Sequence, residues 1–184
     1  MNAPAMQPAP PSFPVPADEA QRLQVLLDLN LLDTPPEARF DRITRLAARL
    51  FGVPTALVSL IDAERQWFKS RVGMDVPETP RSASFCAHAI LQDDVMVVRD
   101  ARQDERFAHT PLVQGDNPVR FYAGSPIASG DGHRIGTLCI IDRVPRDFGP
   151  EERDLLRDLA GIVGNEVAAI ELALAAERRR RSEH

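Results

Sequence analysis

With 184 residues, 43% of them apolar and 27% charged, the chain has the size and make-up of one globular domain with flanking segments. A net charge of -5 argues against a nucleic-acid partner, because such partners call for a basic face. Two cysteines without a CxxC pair indicate neither a disulfide scaffold nor a zinc ribbon, and no apolar run approaches the roughly 20 residues that cross a bilayer.

The first sixteen residues hold six of the 16 prolines and no basic residue. They lack the charged start and unbroken apolar run of a secretory signal, so residues 1–17 are expected to be a disordered, Pro-rich tail on a cytoplasmic protein. From Glu19 to Leu32, leucines and a valine cover more than one helical face, which predicts a helix buried on two sides. Asp33-Thr34-Pro35-Pro36 stops it. A second helix follows, with Phe40, Ile43, Ala47, Leu50 and Phe51 at three- and four-residue steps and Gly52 as its C-cap.

The period then changes. Thr55 to Asp62 is a nearly continuous apolar run, read as a strand covered on both faces, and Gln66 to Ser70 is its hairpin return. Ser84 to Leu91 predicts a short helix with Ser84 as N-cap, and Val95 to Val98 a brief strand. Residues 101–118 read as irregular. Strands over Arg120 to Ala128 and Arg134 to Asp142 flank the Gly-rich turn Ser129-Gly130-Asp131-Gly132. The last helix opens at Pro150 with Glu151 and Glu152 in its first turn. Leu156, Leu159, Val163, Val167, Ile170 and Leu174 form its stripe, and Arg178 to Arg181 suit its C-terminus. The order of elements means an antiparallel sheet with helices packed on it, an α+β domain over residues 18–176, with residues 177–184 as a charged tail.

From Leu23 to Leu174 the chain resembles the GAF domain of bacterial signalling proteins. The resemblance rests on Leu32-Asp33-Thr34-Pro35-Pro36-Glu37, Phe51-Gly52-Val53-Pro54, Leu57 to Asp62 and Arg65 to Ser70. It continues through Ser84 to Ile90, Arg120 to Gly124 and Ile135 to Asp142. It implies a sheet of five or six antiparallel strands, the terminal helices on one face and a ligand pocket under loops and short helices on the other. It also implies a sensory or regulatory domain that binds a small molecule. Such a domain pairs as a homodimer through its N- and C-terminal helices and signals along the last helix. The output partner would be a protein such as a histidine kinase or diguanylate cyclase. No catalytic residue, metal, membrane or nucleic acid is expected, and neither the ligand nor any cofactor is identified, because one fold carries many functions.

Two alternatives stand beside this reading. One is a ligandless dimerisation module. The other is a thiol enzyme of the free methionine sulfoxide reductase type using Cys86, but the loop from Asp104 to Val119 lacks the second cysteine of a thiol relay. Bilin-type attachment needs a cysteine directly before histidine, and Ala87 separates Cys86 from His88. A metal reading would gather Cys86, His88, His109 and Cys139, which lack ligand-type spacing. The pocket candidates are Trp67, Phe85, Cys86, His88, Asp100, Arg106, Phe107, Phe121 and Tyr122, aromatic walls with a few polar groups. For Asp100 and Arg106 the alternative is a loop staple, for Cys86 and His88 a packed thiol and a hydrogen-bonded imidazole. Arg81 is either an anion ligand or a surface charge.

Overall fold

The computed structural model describes residues 12–183; most of the expected Pro-rich tail, residues 1–11, lies outside them. Helices α1 (Glu19–Asp28) and α2 (Ala38–Phe51) lead into a hairpin of β1 (Thr55–Ile61) and β2 (Arg65–Val72). Then come β3 (Glu78–Pro80), a 3-10 turn at Arg81–Ala83, α3 (Cys86–Ala89) and β4 (Met96–Val98). A turn at Ala101–Gln103, α4 (Pro111–Gln114), β5 (Phe121–Ala128), β6 (Arg134–Asp142) and α5 (Pro150–Ser182) complete the chain. The six strands form one sheet in the order β3-β2-β1-β6-β5-β4, every neighbouring pair antiparallel.

Strand alternation divides the interior into two cores. Ala56, Val58, Leu60, Phe121, Leu138 and Ile140 face α1, α2 and α5, where Phe40, Ala47, Leu156 and Val163 meet them. Leu57, Ile61, Phe68, Tyr122, Cys139 and Ile141 face the other way, under Phe85, Ile90, Phe107 and Val113. Each large apolar side chain buried this completely contributes about 1.5–3 kcal/mol. All seven residues of β1 are buried, which is why it reads as an unbroken apolar run. The central pair is drawn tight by Gly136, where a Cβ would stand 1.9 Å from the Ser59 carbonyl oxygen.

Three elements differ from the sequence expectation. Helix α1 ends at Asp28 rather than Leu32, because Asn30 turns to φ 51° and Asp33 to φ 60°, conformations that Asn and Asp tolerate better than most residues. Leu29 and Leu31 stay buried regardless. Strand β3 carries no apolar pattern, and its pairing with β2 alone creates it. In α5, an 18-residue stretch reaches a mean hydropathy of 1.6, long and apolar enough to cross a membrane by length and composition. Glu166 and Glu171 break it into short runs, so no long one stands out in the sequence.

Helix α5 starts with Pro150 at its first turn, and the Glu152 carboxylate reaches back to accept the Gly149 N–H at 2.9 Å. Leu156, Leu159, Ala160, Val163 and Val167 bury its first half against the sheet. Beyond them it leaves the core: Leu172 is 73% exposed, and residues 177–182 are still helical.

Candidate functional site

Between the sheet and its roof on the face away from the long helices lies a cavity of about 200 Å³. Leu57, Phe68, Tyr122, Cys139 and Ile141 form its floor, Phe85 and Cys86 one wall. Met74 and Val76 of the β2–β3 connection, Leu112 of α4 and Asn117 of the α4–β5 connection bound it, and Gln66, Thr79 and Arg143 add polar edges. Arg143 makes no carboxylate ion pair among the described residues; its Nη1 donates to the Asn117 carbonyl at 2.7 Å, and burial lowers its pKa. Apolar walls with a few polar groups are the usual design of a small-ligand site.

Strand register decides which aromatic groups reach this cavity. A bulge in β2 sets Val58 opposite Ser70 and Ser59 opposite Phe68, leaving Lys69 as the extra residue. Phe68 therefore faces the cavity, while Trp67 joins the core under the helices. Lys69 also turns to the helix side, where its Nζ pairs with Glu37 at 2.8 Å. On β5 the same alternation sends Tyr122 to the cavity and Phe121 to the helix side. Of the expected pocket residues, Phe85, Cys86 and Tyr122 line the cavity together, and Trp67 and Phe121 lie across the sheet from it.

The most developed chemistry is at Cys86. Ser84 prepares the start of α3, accepting the Ala87 N–H at 3.1 Å and donating to Gln66 Oε1 at 2.8 Å. Two hydroxyls then donate to Cys86 Sγ, Tyr122 Oη and Thr137 Oγ1, each at 3.1 Å. Gly124 makes the first of these possible: a Cβ there would stand 2.2 Å from the Tyr122 hydroxyl. Burial pushes the Cys86 thiol up, but the donors Cys139, Thr137, Tyr122 and Ser59 outweigh it and bring the thiol down to about 7. Cys139 moves the opposite way, raised by its contact with Cys86 and by burial. Burial and then the Cys86 charge raise Tyr122. Of the two thiols, Cys86 is therefore the more readily ionised. Thr137 escaped the sequence reading, although it alternates with Cys139 along β6 and so shares its face.

The remaining candidates do not line the cavity: Phe107 lies in the core beside it, and Asp100 and Arg106 border a separate surface depression. Phe107 stacks on Phe85 with ring centroids 4.1 Å apart, and the half-buried His88 sets its edge on Phe107 at 4.9 Å. Burial, with Arg106 nearby, lowers the His88 pKa, and among the described residues no hydrogen bond joins His88 to Cys86. Asp100 pairs with Arg102 at 2.7 Å and Asp104 with Arg106 at 2.8 Å, so both carboxylates hold their own loop. Arg81 is neither an anion ligand nor a surface charge. It is fully buried and bound to Glu19 of α1, because the 3-10 turn carries it beneath that helix. Among the described residues no three His, Cys, Asp or Glu side chains gather as a metal site requires.

The GAF domain family matches residues 35–167. The chain belongs to the GAF family. A cyclic di-GMP phosphodiesterase of Pseudomonas aeruginosa is 46% identical to this GAF domain over 143 residues, which are 77% of the chain and 24% of the phosphodiesterase. The chain therefore spans about a quarter of the length of that curated relative. Among solved structures, the blue-light absorbing form of the Thermosynechococcus elongatus PixJ GAF domain superposes with a TM-score of 0.63 at 17% identity, covering 88% of this chain and 98% of that one. A free methionine-R-sulfoxide reductase from Neisseria meningitidis superposes with a TM-score of 0.60, also at 17% identity, covering 88% and 96%. At such identities the likeness is one of fold, and the six-stranded antiparallel sheet with its helices is that fold.

Proposed function

We propose that this GAF domain is a cytoplasmic sensory module that binds a small ligand and does not catalyse a reaction. The enclosed apolar cavity, with its polar edge at Gln66, Asn117 and Arg143, carries this reading. Its volume of about 200 Å³ suits a molecule built on a single ring, since a dry cavity of roughly 150 Å³ accepts benzene. A thermal-shift screen of small metabolites against the reduced protein tests it. A ligand at a hundred times its dissociation constant is expected to add about 2.7 kcal/mol of stability. Leu112→Trp, which fills the roof, abolishes that gain. A screen in which nothing stabilises the wild type, or in which Leu112→Trp responds equally, overturns it.

The same proposal makes the module a homodimer through α1 and α5, without membrane or nucleic acid, signalling along α5. Its output would be a domain such as a phosphodiesterase, diguanylate cyclase or histidine kinase. The similarity to the cyclic di-GMP phosphodiesterase supports this kind of output. A groove of about 510 Å³ between the two helices, lined by Val25, Leu29, Ala168, Leu172 and Ala175, supports the pairing, as do the exposed Leu27, Ile162 and Leu172. Leu172→Arg is expected to convert dimer to monomer in light scattering. At 73% exposure the same change should alter the unfolding free energy of the monomer by no more than about 0.5 kcal/mol. A monomeric wild type, or an Arg variant that stays dimeric, would remove the pairing from the proposal.

A further inference from the structure

We propose that Cys86 and Cys139 are a peroxide-responsive thiol pair that closes to a disulfide within the chain. Both are free and buried, on different elements, and both border the same cavity. Cys86 is built as the attacking group, with the hydroxyls of Tyr122 and Thr137 each donating to its sulfur at 3.1 Å. Cys139 sits beside it, its sulfur 3.9 Å from Ser59 Oγ, and each thiol shifts the ionisation of the other. The cavity supplies the route: exposed Val76 and Asn117 stand at its edge, and no carboxylate lines it to oppose a thiolate at Cys86. A hydroperoxide needs little of the space available.

The chemistry closes without another reagent. The Cys86 thiolate attacks one peroxide oxygen, the O–O bond breaks, and the departing hydroxide takes up the proton that Cys86 had released, leaving as water. Cys86 is now a neutral sulfenic acid. The hydrogen bond with Cys86, and then burial, raise the Cys139 thiol, so Cys139 is the partner that keeps its proton until Cys86 has reacted. The Cys139 sulfur then attacks the Cys86 sulfur, the S–O bond breaks, and the hydroxide leaves with the Cys139 proton as a second water. Two thiols are oxidised and hydrogen peroxide is reduced to two waters. The new bond ties α3, in the roof, to β6, in the floor, and so narrows the site proposed above for the ligand. Only its route of access rests on that earlier reading.

The test exposes the folded, fully reduced chain to a slight excess of hydrogen peroxide, then alkylates the remaining thiols in acid and denaturant. Both thiols are expected to disappear together, with a mass loss of two hydrogen atoms that dithiothreitol reverses. A non-reducing tryptic digest should join the peptide Ser82–Arg99 to Ile135–Arg143. In Cys139→Ala the reaction should stop at a Cys86 sulfenic acid that dimedone traps, and in Cys86→Ala the remaining thiol should survive. Both thiols persisting in the oxidised wild type, a link between two chains, or undiminished oxidation of Cys139 in Cys86→Ala overturns the proposal. Should the alanine variants fail to fold, the wild-type digest alone decides. The ligand screen is run in reductant, so a linked peptide without any ligand sinks only the sensory reading, and a ligand without a linked peptide sinks only this one.

Discussion

Glu19→Gln is expected to destabilise the domain by about 3–5 kcal/mol at neutral pH, the penalty for breaking a buried ion pair from one side. Arg22 and Arg81 are both fully buried and share the Glu19 carboxylate. Arg22 donates to both of its oxygens at 2.9 Å and to the Ile61 carbonyl at 2.6 Å; Arg81 also donates to the Asp62 carbonyl at 3.0 Å and lies under the Phe13 ring. With the carboxylate gone, two guanidinium groups remain buried with only carbonyls to neutralise them. Burial works against the Glu19 charge, but the hydrogen bonds from Arg22 and Arg81 hold its carboxyl at about 2, against an ordinary 4.5. A folded pKa below the unfolded one stabilises above the unfolded value and is lost as pH falls toward the folded value. The wild type should therefore lose about 2 kcal/mol between pH 5 and 2 from this group, after allowance for water reaching part of the side chain, and the Gln variant should not. Urea titrations of both proteins across that range measure it. A gap between them below 1 kcal/mol at neutral pH, or one that does not shrink in acid, contradicts the assignment.

Tyr122→Ala should cost a further 3–5 kcal/mol in its own right, about the usual loss for deleting a buried aromatic side chain. Tyr122 is 1% exposed, with its ring 5.1 Å from Phe85, and its removal opens the cavity floor. Tyr122→Phe separates shape from chemistry. It keeps the ring and should cost about 1 kcal/mol for the lost hydrogen bond. Having removed a donor to Cys86, it should also move that thiol from about 7 toward the ordinary thiol range. Thiolate absorbance against pH reads the second effect, and denaturation the first. An unchanged thiol titration in Tyr122→Phe would mean that the hydroxyl does not support the charge.

Much of the fold is legible in the sequence wherever one local signal and one burial pattern agree. The bounds of β6 are read correctly because all but its first residue are buried and a Gly-rich turn precedes it, and α2 ends where Gly52 adopts φ 59°. What escapes is set by partners distant in the chain. Strand β3 is polar and exposed at its ends, so nothing before its pairing with Arg65 to Trp67 marks it. Phe85, Cys86 and Tyr122 belong to the cavity as expected from their types, but Met74, Val76 and Asn117 reach it from irregular segments, and Leu112 from a four-residue helix, all too short to have a period to read. Trp67 and Phe68 differ by a single step, and the sequence alone does not say which of them the sheet turns inward. Arg81 shows the same limit for charge: a lone arginine after proline looks like a surface residue until a carboxylate from a helix sixty-two positions earlier encloses it.

That enclosure has a mechanical side. The run from Arg81 to Cys86 passes around the sheet edge, fastened at one end to the outer helix α1 and at the other to the short helix above the cavity. Five peptide links are too short to absorb slack, so a displacement of α1 against β1 and β2 pulls on the entry to α3, and a swelling of the roof pushes back along the same strut. The two faces of the sheet are in this way joined through covalent backbone, with one shared carboxylate as the pin.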